Sequence, residues 1–208
     1  MDPLSGTQQS SWRPHPSISA HGDERIIAIV LVTIIVFSVS PMARAQASPP
    51  GEYELKAAFL FNFAKFIDWP ADSFASSQSP FTICVLGLDP FGNILEDDLQ
   101  GKMIGNRPLA VRRIKDKAGV RLCQIEFVSS SESAHLAEVI GSLQSANVLL
   151  VGETNGFAAS GGTIEFTLED NHVRFTINID AVGRSGLKFS SKLLSLAKIL
   201  HEGHSKGG

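Results

Sequence analysis

The chain has 208 residues, 18 Lys and Arg against 21 Asp and Glu, 43% hydrophobic residues, 13 Phe and two Cys. That length and balance fit one globular domain that buries a core without a structural metal or a disulfide framework. A net charge of −3 argues against nucleic acid as a partner, because phosphate neutralisation needs clustered Lys and Arg.

The first feature in chain order is IIAIVLVTIIVFSV at 26–39, an uncharged apolar run followed by SPMARAQASPPG. The run suits the hydrophobic region of a signal peptide better than a membrane span, which needs about 20 residues. Small residues alternate at Ala43-Arg44-Ala45 and Ala45-Gln46-Ala47, so cleavage is expected after Ala45 or Ala47. A retained signal anchor is the alternative. The basic flank is weak, since Arg25 adjoins the run but Asp23 and Glu24 offset it, and residues 1–24 read as a start placed too far upstream. Residues 1–47 are thus expected to be a signal peptide with an uncertain start, and 48–208 one exported domain with its core at 52–200. Export changes the meaning of Cys84 and Cys123: an oxidising compartment favours their pairing, and two buried free thiols are the other reading.

Glu52 to Ile67 predicts a helix, with Leu55, Phe59, Phe63 and Phe66 at three- and four-residue spacing and Glu52 and Lys56 as an i,i+4 pair. Trp69-Pro70 ends it. Phe81 to Gly87 is apolar at nearly every position, the pattern of a central strand covered on both sides. Asp89-Pro90 then reads as the cap and first position of a helix carrying Phe91, Ile94, Leu95 and Leu99. Arg107 to Ile114 is a second strand. LCQIEFVSS from Leu122 is a third, in which Cys123, Ile125 and Phe127 share a face by alternation. Ser129 and Glu132 have capping-box spacing ahead of a helix with Leu136, Val139, Ile140 and Leu143. Asn147 to Gly152 is another apolar strand.

The last third changes pattern. Ile164, Phe166 and Leu168 alternate with polar residues, as do Val173, Phe175, Ile177 and Ile179 beyond Asp170-Asn171, predicting two antiparallel strands. Gly183 and Gly186 suggest a flexible connection, and Ser190 to His201 reads as a terminal amphipathic helix. The expected fold class is α/β: a single layered domain with a mixed, mainly parallel sheet, helices on both faces and a C-terminal antiparallel strand pair.

Motifs for chemistry are sparse. Gly87 to Gly92 matches neither GxGxxG nor the phosphate-loop pattern, and no HExxH, CxxC or GxSxG occurs. His201-x-x-His204 lacks further ligands nearby, so no metal or cofactor is expected. Arg112, Arg113, Lys115, Lys117 and Arg121 form a basic stretch whose plain reading is a solvated strand edge. Glu165 and Glu169 share a strand face with Arg174 across from them, either a ligand- or partner-binding patch or a cross-strand charge group. Phe63, Phe66 and Trp69 can line an apolar ligand or partner surface, with core packing as the alternative.

KAAFLFNFAKFIDWP at 56–70, ICVLGLDPFG at 83–92, GKMIGNRPLAVRR at 101–113, LCQIEFVSS at 122–130 and GRSGLKFSSKLLSLAKIL at 183–200 together resemble the YfiR/HmsC-like family. The resemblance runs over roughly Glu52 to Leu200. It implies a periplasmic, non-enzymatic α/β regulator, often a homodimer, that restrains an inner-membrane diguanylate cyclase through the cyclase's periplasmic sensor region. It also matches Cys84 and Cys123 to two family cysteines that can form a redox-sensitive disulfide, while a second pair carried by some relatives is missing. The alternative function is a periplasmic small-molecule-binding module. A small exported hydrolase would require His135 or His172 to meet a Ser and an acid in space.

Overall fold

The apolar stripe read over Glu52 to Ile67 is helix α1 (Glu52–Phe66). The computed structural model describes residues 51–115, 123–143 and 147–203. The expected signal peptide, Lys117, Arg121 and His204 therefore lie outside the described residues. Glu52 and Glu54 occupy the first turn of α1 and Lys65 the last, each on the end where the helix dipole favours its charge. The Gly51 amide donates to Glu54 Oε2 at 3.0 Å. At the other end Trp69 Nε1 donates to the Ala64 carbonyl at 3.0 Å, satisfying one of the acceptors a helix terminus leaves open.

The chain then runs through β1 (Ile67–Asp68), β2 (Phe81–Leu86), α2 (Ile94–Leu99), β3 (Met103–Ile104), β4 (Arg107–Ile114) and β5 (Ile125–Val128). A 3-10 turn at Ser130–His135 leads into α3 (Leu136–Leu143), followed by β6 (Leu149–Gly152), β7 (Ile164–Glu169) and β8 (His172–Asn178). The chain closes with α4 (Ile179–Ser185), β9 (Lys188–Phe189), α5 (Ser191–Leu194) and β10 (Lys198–Leu200). Eight strands form one sheet in the order β10-β8-β7-β6-β5-β2-β4-β3. Its middle is parallel, whereas β7–β8 and β3–β4 are antiparallel. β1 and β9 make a separate antiparallel pair. This is the expected mixed, mainly parallel architecture.

All six residues of β2 and all four of β5 and β6 are buried, as strands covered on both faces must be. One core gathers Phe63, Phe81, Ile83, Phe127, Val151 and Ile177 beneath α1 and α2. The other, beneath α3, gathers Cys84, Leu86, Val128, Val139, Ile140 and Leu150. Phe63 is the centre of an aromatic group, its ring 5.8 Å from Phe166 and 5.2 Å from Phe175. Such pairs add about 0.5–1.5 kcal/mol each beyond the area they bury.

The structure departs from the sequence reading at several elements. Asp89 does not cap a helix: its Oδ1 accepts the Phe91 amide at 2.8 Å, making a turn, and α2 starts only at Ile94. The third strand begins at Ile125 rather than Leu122. Cys123 therefore escapes the alternation and sits in the α3-side core, opposite Ile125 and Phe127. Asn178 ends β8 and caps α4, its side chain accepting from the amides of Asp180 and Ala181, where a flexible connection was expected.

The terminal helix over 190–201 is also overturned. Ser190 caps only the four-residue α5, after which Lys198–Leu200 pairs in parallel with Thr176–Asn178. The open backbone edge of β8 takes the chain as a strand, and Arg184 and Asn178 then hold Glu202 just beyond it.

Phe157 shows why two glycines are needed. Its ring is buried between Gly152 at the end of β6 and Gly162 before β7, and a Cβ on either would overlap ring carbons. Gly162→Ala is expected to lower stability by about 1–3 kcal/mol through overpacking, read as a fall in melting temperature. Gly183→Ala, where a Cβ meets nothing, should leave it nearly unchanged.

Candidate functional site

In open parallel sheets ligands sit outside the carboxyl ends of the strands, above all where the strand order reverses. Here the reversal falls between β2 and β5, because β2 leads outward to β4 and the chain then returns to β5 on the opposite side. The protein fills that crevice itself. Gly87 takes φ +91°, a conformation that favours glycine, and a Cβ there would strike the Ser131 and Glu132 side chains. Leu88 N–H donates to Ser131 Oγ at 2.9 Å.

The open space lies one strand further on. A cavity of about 410 Å³ is lined by Tyr53 and Lys56 of α1, Ser130 after β5, Glu153 after β6, and Glu165, Phe166 and Thr167 of β7. Lys56 is its electrostatic centre, with a side chain only 5% exposed. Its ammonium lies 2.7 Å from Glu153 and 2.5 Å from Glu52. Glu153 also accepts from Tyr53 Oη at 3.3 Å and from the Ser130 amide at 3.4 Å. Burial pulls the Lys56 pKa down, but hydrogen bonds to Glu153 and Glu52 outweigh it, holding the group above the usual lysine range. Burial, reinforced by the Glu153 charge, pushes the Tyr53 phenol up. Near neutrality Lys56 is therefore an ammonium and Tyr53 a neutral phenol.

This cluster binds its own groups rather than exposing a reactive one. It contains no nucleophile paired with a base, and Ser130 contributes a backbone amide. His135 and His172 are exposed, and the His172 ring bonds the Asp170 carbonyl at 2.7 Å. Among the described residues no group of three His, Cys, Asp or Glu is placed to hold a metal.

The residues singled out in the sequence do not converge. Phe63 is fully buried in the α1-side core. Phe66 and Trp69 are half-buried at the end of α1, with Lys192 over the Phe66 ring at 5.1 Å and Trp69 edge-on to Phe81 at 5.0 Å. Glu165 faces inward and accepts the amides of Gly156 and Ala158 at 3.0 and 2.9 Å, which fixes the turn around Phe157. Arg174 is exposed and in register with Thr167 rather than Glu165. From the basic stretch, Arg113 is tied to Asp89, Glu96 and the Gly92 carbonyl.

Cys84 and Cys123 form a disulfide, with Cα atoms 5.8 Å apart. Lys56 and Glu153 are the residues sequence reasoning missed. Ninety-seven positions separate them, and Lys56 already had a local explanation in Glu52. The one available signal was position: Lys56 precedes Phe59 and Phe63 by three and seven residues, on the flank of the apolar stripe.

The fold and this internally satisfied polar cluster define a two-sided α/β domain with helices over both faces of its sheet. The family model for YfiR/HmsC-like proteins matches residues 53–198, and the chain belongs to that family. Membership supports a periplasmic regulatory role in general, and the disulfide is consistent with export.

Proposed function

We propose that the protein is a non-enzymatic periplasmic regulator that binds the periplasmic sensor region of an inner-membrane diguanylate cyclase and holds the enzyme in its low-output state. Family membership across 53–198 carries this reading. A regulator of this kind works only by binding the partner's low-output conformation more tightly than its high-output one. Deleting the gene is expected to raise cellular cyclic-di-GMP several-fold, with reversal by the wild-type gene. An unchanged level in a strain that expresses both proteins would overturn the reading.

A second reading, a small-molecule-binding module, is favoured by the cavity between α1 and the ends of β5 to β7. Its volume of about 410 Å³ falls in the usual range for small ligands, roughly 300–1,000 Å³. A ligand there would touch α1 and the sheet together, and so could feed a signal into the regulatory surface. On this reading the homodimer expected from the resemblance would be a separate property of the outer surface.

A further inference from the structure

A second concavity lies on the outer side of α1, away from Lys56. It has a volume of about 480 Å³, with an apolar floor of Leu55, Ala58 and Ile94 and a rim of Glu54, Asp97 and Asp98. Leu55 and Ile94 pack on the core from below but remain half-exposed in the groove. α2 is six residues long against fifteen in α1, about 9 Å against 22 Å, so the shorter helix leaves the flank of the longer one open.

The rim is acidic and only partly neutralised, by Lys102 at Asp98. Among the described residues no Lys or Arg pairs with Glu54 or Asp97. Of the neighbouring cations, Lys102 is held at Asp98 at 2.9 Å, and Arg113 is turned away to Asp89 and Glu96 on the β4 side of α2. Lys102 reaches only one oxygen of Asp98, and the other, Oδ2, is buried without any donor. Apolar floor and acidic rim describe the complement of one ligand type.

We infer that the groove between α1 and α2 is a docking site for a basic amphipathic protein segment, one or two apolar anchors flanked by Lys or Arg. The inference rests on the regulator reading and names the surface by which the partner is held. An apolar anchor on Leu55, Ala58 and Ile94 supplies the buried centre, and the partner's cations meet Glu54, Asp97 and Asp98 at the rim. An anionic lipid surface fits poorly, because these carboxylates would repel its headgroups.

The test measures binding of the purified protein to a fluorescent peptide of about 12 residues with Leu and Lys at helical spacing. A peptide with Glu at each Lys position, and vesicles of phosphatidylethanolamine and phosphatidylglycerol, are run beside it. The Lys peptide is expected to bind and the Glu peptide not to. Asp97→Lys and Ala58→Arg should each weaken binding about tenfold, while Asp72→Lys, the same charge change on an exposed turn, should not. Melting temperatures verify that each variant is folded. Equal binding by Asp97→Lys and Asp72→Lys, no binding of the Lys peptide, or vesicles that displace it would overturn the inference.

Capture of the cyclase from membrane extract separates the two levels of the argument. Loss of capture in folded Ala58→Arg supports the groove. Capture undiminished in that variant overturns the groove and leaves the regulator reading intact. Failure of the wild-type protein to capture the cyclase counts against the regulator reading, and the peptide measurements still decide the groove.

Discussion

Replacing both cysteines by alanine is expected to cost about 4 kcal/mol of folding stability, the chain-entropy value for a loop of this size. The bond joins positions 39 apart. It ties Cys123, two residues before β5, to the neighbouring central strand β2, so the loop it closes contains α2, β3 and β4. An unfolded chain freed of that link gains entropy that the native state does not match. The lost sulfurs also vacate space in the α3-side core, where Cys84 and Cys123 are almost wholly buried among Leu86, Val128, Ile140 and Leu150. Urea titration measures the change, with a slope in denaturant that separates a loss of native stability from a more expanded denatured state. A loss under about 1 kcal/mol would mean that the denatured chain is already compact across this loop.

The same variant tells a staple from a switch. If it is folded at low temperature and still captures the cyclase, the disulfide acts through stability alone. Capture lost in a chain that remains folded would place the bond in control of the partner surface. Burial makes direct attack by an external thiol slow, so reduction is expected to follow opening of the α3 layer rather than thiol concentration alone.

Several elements were legible because one local pattern decided them. β4 spans Arg107–Ile114, as its alternation predicts, and the β7–β8 hairpin follows from two alternating runs around Asp170-Asn171, both of which adopt positive φ. Burial of β2 on both sides was written in six consecutive apolar or small residues. The failures share a cause: the deciding partner was distant in sequence. Lys198–Leu200 has a helical-looking neighbourhood and becomes a strand because β8 offers an unpaired edge. Cys123 changes face because β5 starts three residues later than its apolar pattern, at Ile125 rather than Leu122. Lys56 looked like half of a surface pair until Glu153 arrived from the end of β6. Glu165 read as an outward charge, whereas two loop amides draw it inward.

Glu126 is the largest such case. Rows across a parallel sheet share a face, and the row through β4, β2, β5 and β6 reads Arg112, Cys84, Glu126, Leu150. Glu126 therefore sits beside a disulfide cysteine on the α3-side face, fully buried, with neither carboxylate oxygen bonded. The one cation in its row, Arg112, lies beyond Cys84 and is exposed. Burial without a partner disfavours the anion, and the carboxyl is pushed up from 4.5 to about 8. The folded state thus holds this proton more tightly than the unfolded chain does. The stability it secures is fully present below pH 4.5 and is lost as pH rises toward about 8. At about 1.4 kcal/mol per pH unit, the loss across that window is on the order of 5 kcal/mol. Urea midpoints should accordingly fall steadily from pH 5 to pH 8 in about unit steps, an opposite trend to that of an ordinary salt-bridged carboxylate. Glu126→Leu removes the titrating group and replaces it with apolar surface in an apolar layer. It should flatten the profile and exceed the wild type in stability near pH 8. Wild-type and Glu126→Leu profiles that run parallel from pH 5 to 8 would show that the carboxyl finds a proton donor or solvent in the folded protein, and would remove Glu126 as a source of pH sensitivity beside the disulfide.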